Sequence, residues 1–104
     1  MKKLLLFFLF ISTSLLHSQN NKVIVTGTIT DSETNIPLEY ATISVFNVNS
    51  DKAINGVISE SNGEFSIELN KGNYDFKVEF ISFKIKYYRN ITVNDPLDLG
   101  TIEL

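Results

Sequence analysis

The chain has 104 residues with no Cys, no Trp and one His, enough for one small domain. Hydrophobic residues make up 43% and charged residues 20%, a globular balance that excludes a disordered chain. Without cysteine there is no disulfide framework, thiolate zinc site or cysteine nucleophile, and a net charge of -3 argues against nucleic acid, whose phosphates need a basic surface.

Residues 1–18 read MKKLLLFFLFISTSLLHS. Lys2 and Lys3 form a positive start, Leu4 to Leu16 is an apolar stretch, and the small Ser18 precedes polar Gln19. That three-part layout predicts a secretory signal peptide cleaved after Ser18. The stretch of about 13 residues is short of the roughly 20 that span a bilayer, which argues against a membrane anchor. No Cys follows it, so an acylated lipoprotein start is excluded. Cleavage also removes His17, the single His, and leaves a more acidic chain that must rely on a packed core. Residues 19–22 (QNNK) read as a flexible start, and residues 23–104 as one domain.

From Val23 the pattern has a period of two. Val23, Val25 and Ile29 share one face, with Thr26, Thr28 and Thr30 opposite. Asp31 to Pro37 is loop chemistry, because Asp, Ser, Thr and Asn bond their own backbone and Pro fixes φ. Ala41 to Phe46 alternates again, with Ala41, Ile43 and Val45 inward, and Asn47 to Lys52 is a polar turn. Ala53 to Glu60 is a weaker strand softened by Gly56. Ser61-Asn62-Gly63 is the strongest hairpin signal in the chain, since Asn-Gly supplies positive φ angles. Phe65, Ile67 and Leu69 alternate with Glu64, Ser66 and Glu68. After a turn at Asn70 to Asn73, Tyr74, Phe76, Val78 and Phe80 alternate with Asp75, Lys77 and Glu79. Lys84 to Val93 offers Ile85, Tyr87, Ile91 and Val93 to a core; Asn94-Asp95-Pro96 turns, and Leu97 to Leu104 closes the chain. Seven short strands at this spacing, with no sustained 3.6 period, predict an antiparallel β-sandwich of Ig-like architecture.

Several segments fit one known pattern. Val25-Thr-Gly27-Thr-Ile29-Thr-Asp31 followed by Pro37-Leu38-Glu-Tyr-Ala41-Thr-Ile43-Ser-Val45 resembles the opening of the carboxypeptidase regulatory-like domain. Asn62-Gly63-Glu-Phe65-Ser-Ile67 resembles its central hairpin, and Asn73-Tyr74-Asp-Phe76-Lys-Val78-Glu-Phe80-Ile81-Ser82-Phe83 its following strand. Leu99-Gly100-Thr-Ile102-Glu-Leu104 is similar to its last strand. Two positions depart: Ser82 stands where the family often has Gly, and Phe83 where it often has Tyr. The resemblance implies an all-β, seven-stranded sandwich of the transthyretin-like or prealbumin-like kind. Directly after a signal peptide, such a domain is similar to the N-terminal extension of TonB-dependent outer-membrane receptors of Bacteroidetes, including SusC-like nutrient importers.

The residues themselves offer little chemistry. Asp31, Glu33 and Asn35 alternate in a loop, but an EF-hand would need Gly where Ile36 stands and Glu where Thr42 stands. Glu60 and Glu64 flank the Asn-Gly turn without the cleft that acid–base work needs. No His remains to activate a serine. Lys84, Lys86, Tyr87, Tyr88 and Arg89 form a basic, aromatic cluster and are the candidate contact surface, for protein or glycan. Phe46 and Phe83 are candidates for the outer face of their strands. The expectation is an exported, non-enzymatic module of the periplasm or outer membrane, with no cofactor, no metal and no nucleic-acid partner. Its partner would be a receptor plug or barrel, or a periplasmic protein, and it would meet the membrane only through a barrel that these 104 residues do not include. The alternatives are a stand-alone secreted binding or adhesion module and the accessory domain of a zinc carboxypeptidase.

Overall fold

The computed structural model describes residues 22–82 and 85–104. The expected signal peptide, residues 19–21 of the expected flexible start, Phe83 and Lys84 lie outside the described residues. Lys22 already belongs to the first strand rather than to a loose start. Seven strands follow in order: β1 (Lys22–Thr30), β2 (Thr42–Asn47), β3 (Ala53–Ile58), β4 (Glu64–Asn70), β5 (Gly72–Glu79), β6 (Lys86–Val93) and β7 (Leu97–Glu103). They form two sheets, one ordered β4-β1-β7 and the other β3-β2-β5-β6.

The alternating side chains meet between the sheets. Val25, Ile29, Ile43, Val45, Phe65, Ile67, Tyr74, Phe76 and Val78 are all buried, as their period-two spacing predicts, and Val93 and Ile102 join them. Full burial of such a side chain is worth roughly 1.5–3 kcal/mol, set against the entropy of ordering the chain. Register locks the pattern: Val25 faces Ile67 across β1–β4, and Val45 faces Phe76 across β2–β5. Gly27 sits at a register shift in the β1–β7 pairing and also beneath the ring of Phe65, its partner on β4. It therefore serves both purposes that a strand glycine can serve.

Three details depart from the sequence reading. First, β1 and β7 pair in parallel, while every other pair is antiparallel. Each connection reverses the chain, so odd-numbered strands point one way and even-numbered strands the other, and the topology brings two odd strands together. Second, the Asn-Gly turn does not close a hairpin, because β3 and β4 belong to different sheets. The turn itself is tight: the Gly63 N–H donates to the Glu60 carbonyl at 2.8 Å, and Gly63 takes φ 81. What separates the strands is Ser59, which is buried at the end of β3. Its Oγ accepts from the Ala41 N–H at 2.8 Å and donates to the Leu38 carbonyl at 2.6 Å, tying β3 to the start of β2. Gly63 O meanwhile accepts from the Ile29 N–H and hands the chain to β1. Third, the turn at Asn70–Asn73 shrinks to Lys71 alone, a corner between sheets braced by the Tyr74 hydroxyl donating to the Asn70 carbonyl at 2.7 Å.

Candidate functional site

The outer face of the β3-β2-β5-β6 sheet is organised by one buried carboxylate. Tyr74 faces Ile91 and Phe76 faces Tyr88, so Arg89 and Asn90 together oppose the single residue Asp75. This is a β-bulge. Asn90 takes φ 54, a left-handed angle that Asn tolerates better than most residues. Asp75, only 6% exposed, holds the bulge: its Oδ1 accepts from the Asn90 N–H at 2.8 Å, and its Oδ2 lies 3.6 Å from Arg89 Nη1. The Arg89 guanidinium lies 4.5 Å over the centroid of the Tyr87 ring, within cation–π range. A shallow cavity of about 260 Å³ opens here, lined by Phe46, Asp51, Asp75, Lys77, Tyr87 and Arg89 among others. Lys77 is paired with Glu79 at 3.6 Å. The surface thus offers aromatic edges flanked by charges of both signs.

The bulge also divides the basic, aromatic cluster. Tyr87 and Arg89 share the outer face, but Tyr88 turns inward and packs against the core. Lys86 reaches instead toward β7, with its Nζ 3.5 Å from the Glu103 carbonyl. Lys84 lies outside the described residues. The strand phase expected from sequence put Ile85 and Tyr87 in the core; both are about half exposed, at 47% and 48%. The extra residue at the bulge shifts the alternation by one, so Val93 and Ile91 point inward and the next inward residue is Tyr88. Phe46 is half-buried at the edge of the cavity, so it is not a freely exposed aromatic. Sequence reasoning missed Asp75, Asp51 and Lys77 as members of this surface. The available signal was Asp75 itself, since an Asp between two core aromatics in mid-strand needs a partner.

The loop and turn acids serve the backbone. Asp31 Oδ1 accepts from the Glu33 N–H at 2.8 Å, and the Asp31 carbonyl accepts from the Asn35 N–H. Glu60 and Glu64 are joined through their main chains, and both line an open groove with Asp98. Among the described residues no group of three or more acidic or His side chains is placed to hold a metal ion.

A second surface was not legible in the sequence. The loops joining β1 to β2 and β3 to β4 lie at one pole with the end of β5 and the start of β6, and there Ile36, Tyr40, Ile58, Ile81 and Ile85 are exposed. Tyr40 is 67% exposed and takes φ 66, an angle that strains a bulky side chain. Its N–H still donates to the Ser59 carbonyl, which fixes it in place.

A model of the carboxypeptidase regulatory-like domain matches residues 24–104, all but the first two residues of the described fold. The chain belongs to the carboxypeptidase regulatory-like domain family. No curated protein matches the sequence. Among solved structures, the regulatory-like domain is similar to 5-hydroxyisourate hydrolase from Klebsiella pneumoniae, with 16% identity and a TM-score of 0.60 over 78% of this chain and 90% of that one. It is similar to the Bacillus anthracis TIE protein at 15% identity and a TM-score of 0.59, over 79% of this chain but only 17% of that protein's length. A chain of a type II cohesin–X-dockerin complex from Acetivibrio cellulolyticus matches at 27% identity and a TM-score of 0.56, over 76% of this chain and 52% of that one. The fold is a transthyretin-like sandwich, and identities of 15% and 16% carry that fold and nothing of the neighbours' chemistry.

Proposed function

We propose that this regulatory-like domain is a non-catalytic module of the periplasm, acting as the N-terminal domain of a TonB-dependent outer-membrane receptor for nutrient uptake. One observation carries the reading. Because β1 and β7 are parallel neighbours, the chain enters at Lys22 on one pole and leaves at Leu104 on the other. A domain threaded in this way would project its leading end away from a plug joined at the Leu104 pole, as an N-terminal extension should. The family assignment and the leader-like first 18 residues support the same reading. The pole that holds Leu104 also exposes Ile36, Tyr40, Ile58 and Ile81, and a receptor plug joined there would meet this apolar surface first. The charges on the outer sheet face are partnered, Asp75 with Arg89 and Lys77 with Glu79, which suits a contact face better than a reactive centre.

A stand-alone secreted binding module is the second reading, favoured by the Tyr87–Arg89 stack beside Phe46. An antibody raised against residues 22–104 separates the two on fractionated cells. The receptor reading predicts a band several-fold larger than 11.8 kDa in the outer membrane. A soluble periplasmic band near the size of the cleaved chain overturns it.

A further inference from the structure

We propose that Asn55 is a site of spontaneous deamidation, and that the fold directs this chemistry to Asn55 while protecting Asn62 from it. Such chemistry needs no partner and holds whatever protein the domain serves. Both residues precede a glycine, at Asn55-Gly56 and Asn62-Gly63. Glycine leaves the following main-chain nitrogen unhindered and the backbone free to turn, so the nitrogen can attack the asparagine side chain. The two dipeptides are alike in sequence, and the structure holds them in opposite ways.

β3 is an edge strand, and the main-chain groups of an antiparallel edge strand turn alternately toward its neighbour and toward the open edge. The Ser59 N–H donates to the Ala41 carbonyl on the β2 side, so Gly56, three residues back, turns its N–H outward. There it donates to Asn55 Oδ1 at 2.8 Å, which sets the nitrogen beside Cγ, the carbon it must attack. Asn55 Nδ2, the leaving group, donates to the Glu68 carbonyl at 3.3 Å and holds the side chain in place. Asn55 and Gly56 are both exposed, so hydroxide reaches the proton on the nitrogen. Gly63, by contrast, is buried, and its N–H donates to the Glu60 carbonyl at 2.8 Å. Asn62 Oδ1 reaches past it to accept from the Glu64 N–H at 3.0 Å.

In the reaction hydroxide takes the Gly56 amide proton, and a bond forms between that nitrogen and Asn55 Cγ. The bond from Cγ to Nδ2 breaks, and Nδ2 leaves as ammonia with a proton from water, which regenerates hydroxide. Water then opens the five-membered succinimide. Cleavage between the nitrogen and Cγ leaves aspartate at position 55; cleavage at the main-chain carbonyl carbon leaves isoaspartate, with an extra methylene in the main chain. Either product puts a negative charge on a strand whose six residues carry none, and removes the donor that ties β3 to β4.

The test incubates the purified protein at mildly alkaline pH, native in one arm and unfolded in concentrated guanidinium chloride in the other. Trypsin releases residues 53–71 as one peptide that carries both sites, and tandem mass spectrometry assigns the mass gain to each asparagine over time. Gly63 must give up its turn hydrogen bond before it can react, so the native protein should lose the Asn55 amide at least about fivefold faster than the Asn62 amide. In guanidinium chloride the two should react at similar rates, because the fold alone sets them apart. A smaller native preference, the same preference in guanidinium chloride, or an Asn55 still intact in the native protein long after the unfolded control has converted overturns the proposal.

Discussion

Replacing Gly27 by Ala should destabilise the domain although Ala is the better residue for a strand. A methyl placed on Gly27 meets Cε1 of Phe65 at 2.6 Å and Cζ at 2.7 Å. Carbon atoms pack at about 3.5–4.0 Å, so the ring must retreat by roughly 1 Å. Phe65 is 4% exposed and wedged between the sheets, so it has nowhere free to go. Overpacking of this kind costs about 1–3 kcal/mol. Removing glycine's backbone freedom returns roughly 0.5–1 kcal/mol, which leaves a net loss of about 1–2 kcal/mol. For a domain of this size that lowers the melting temperature by roughly 5–15 °C. Thermal unfolding followed by far-ultraviolet circular dichroism measures it. A Phe65→Leu background sharpens the test, because Leu lacks the two colliding atoms. There Gly27→Ala should be neutral or stabilising, a reversal of sign that only direct contact produces. An unchanged melting temperature for Gly27→Ala alone, or the same loss in both backgrounds, would refute the reasoning.

Three further outcomes rest on the same geometry. Ser59→Ala strips the partner from the buried Ala41 N–H and should cost about 1–3 kcal/mol in chemical denaturation, far more than a surface serine would. Asp75→Ala should lose about 1–3 kcal/mol by orphaning the Asn90 N–H. Asp75→Asn keeps an acceptor and should lose no more than about 1 kcal/mol, because its ion pair with Arg89 is open to solvent on the arginine side; the two melting temperatures, compared side by side, check this. Ser82 takes φ 65, a left-handed angle that glycine adopts without steric cost. Ser82→Gly should raise stability by up to about 1 kcal/mol, measured as a shift in denaturation midpoint.

The strands and most of the core can be read directly, because period-two alternation states which side of a sheet each residue faces. It does not state which sheet a strand joins. The turn at Ser61–Gly63 therefore looks like a hairpin in the sequence, although Ser59 and Ile29 draw its two arms apart. Alternation also fails wherever a bulge adds a residue. In β6 the cause sits on another strand, since Asp75 requires both Arg89 and Asn90 opposite it. Tyr87 and Arg89 can be picked out by their chemistry, whereas Asp75, Asp51 and Lys77 join them only through pairing and loop placement. The exposed pole is hidden for a different reason. Ile36 and Ile81 sit in loops and Ile58 at a strand end, where an apolar side chain carries no sign of whether it is covered, and Tyr40 takes a backbone angle that no composition announces.

The proposed placement of the domain ahead of a receptor plug depends on the parallel pairing of β1 with β7. The most direct measurement is the distance between spin labels placed at Lys22→Cys and Glu103→Cys, two exposed positions in a chain with no other thiol. Glu103 pairs with Thr30, eight strand steps from Lys22, which predicts a separation of about 26 Å between backbones. Antiparallel pairing would set the two positions side by side at about 5 Å, and strong dipolar broadening from such close labels would contradict the account.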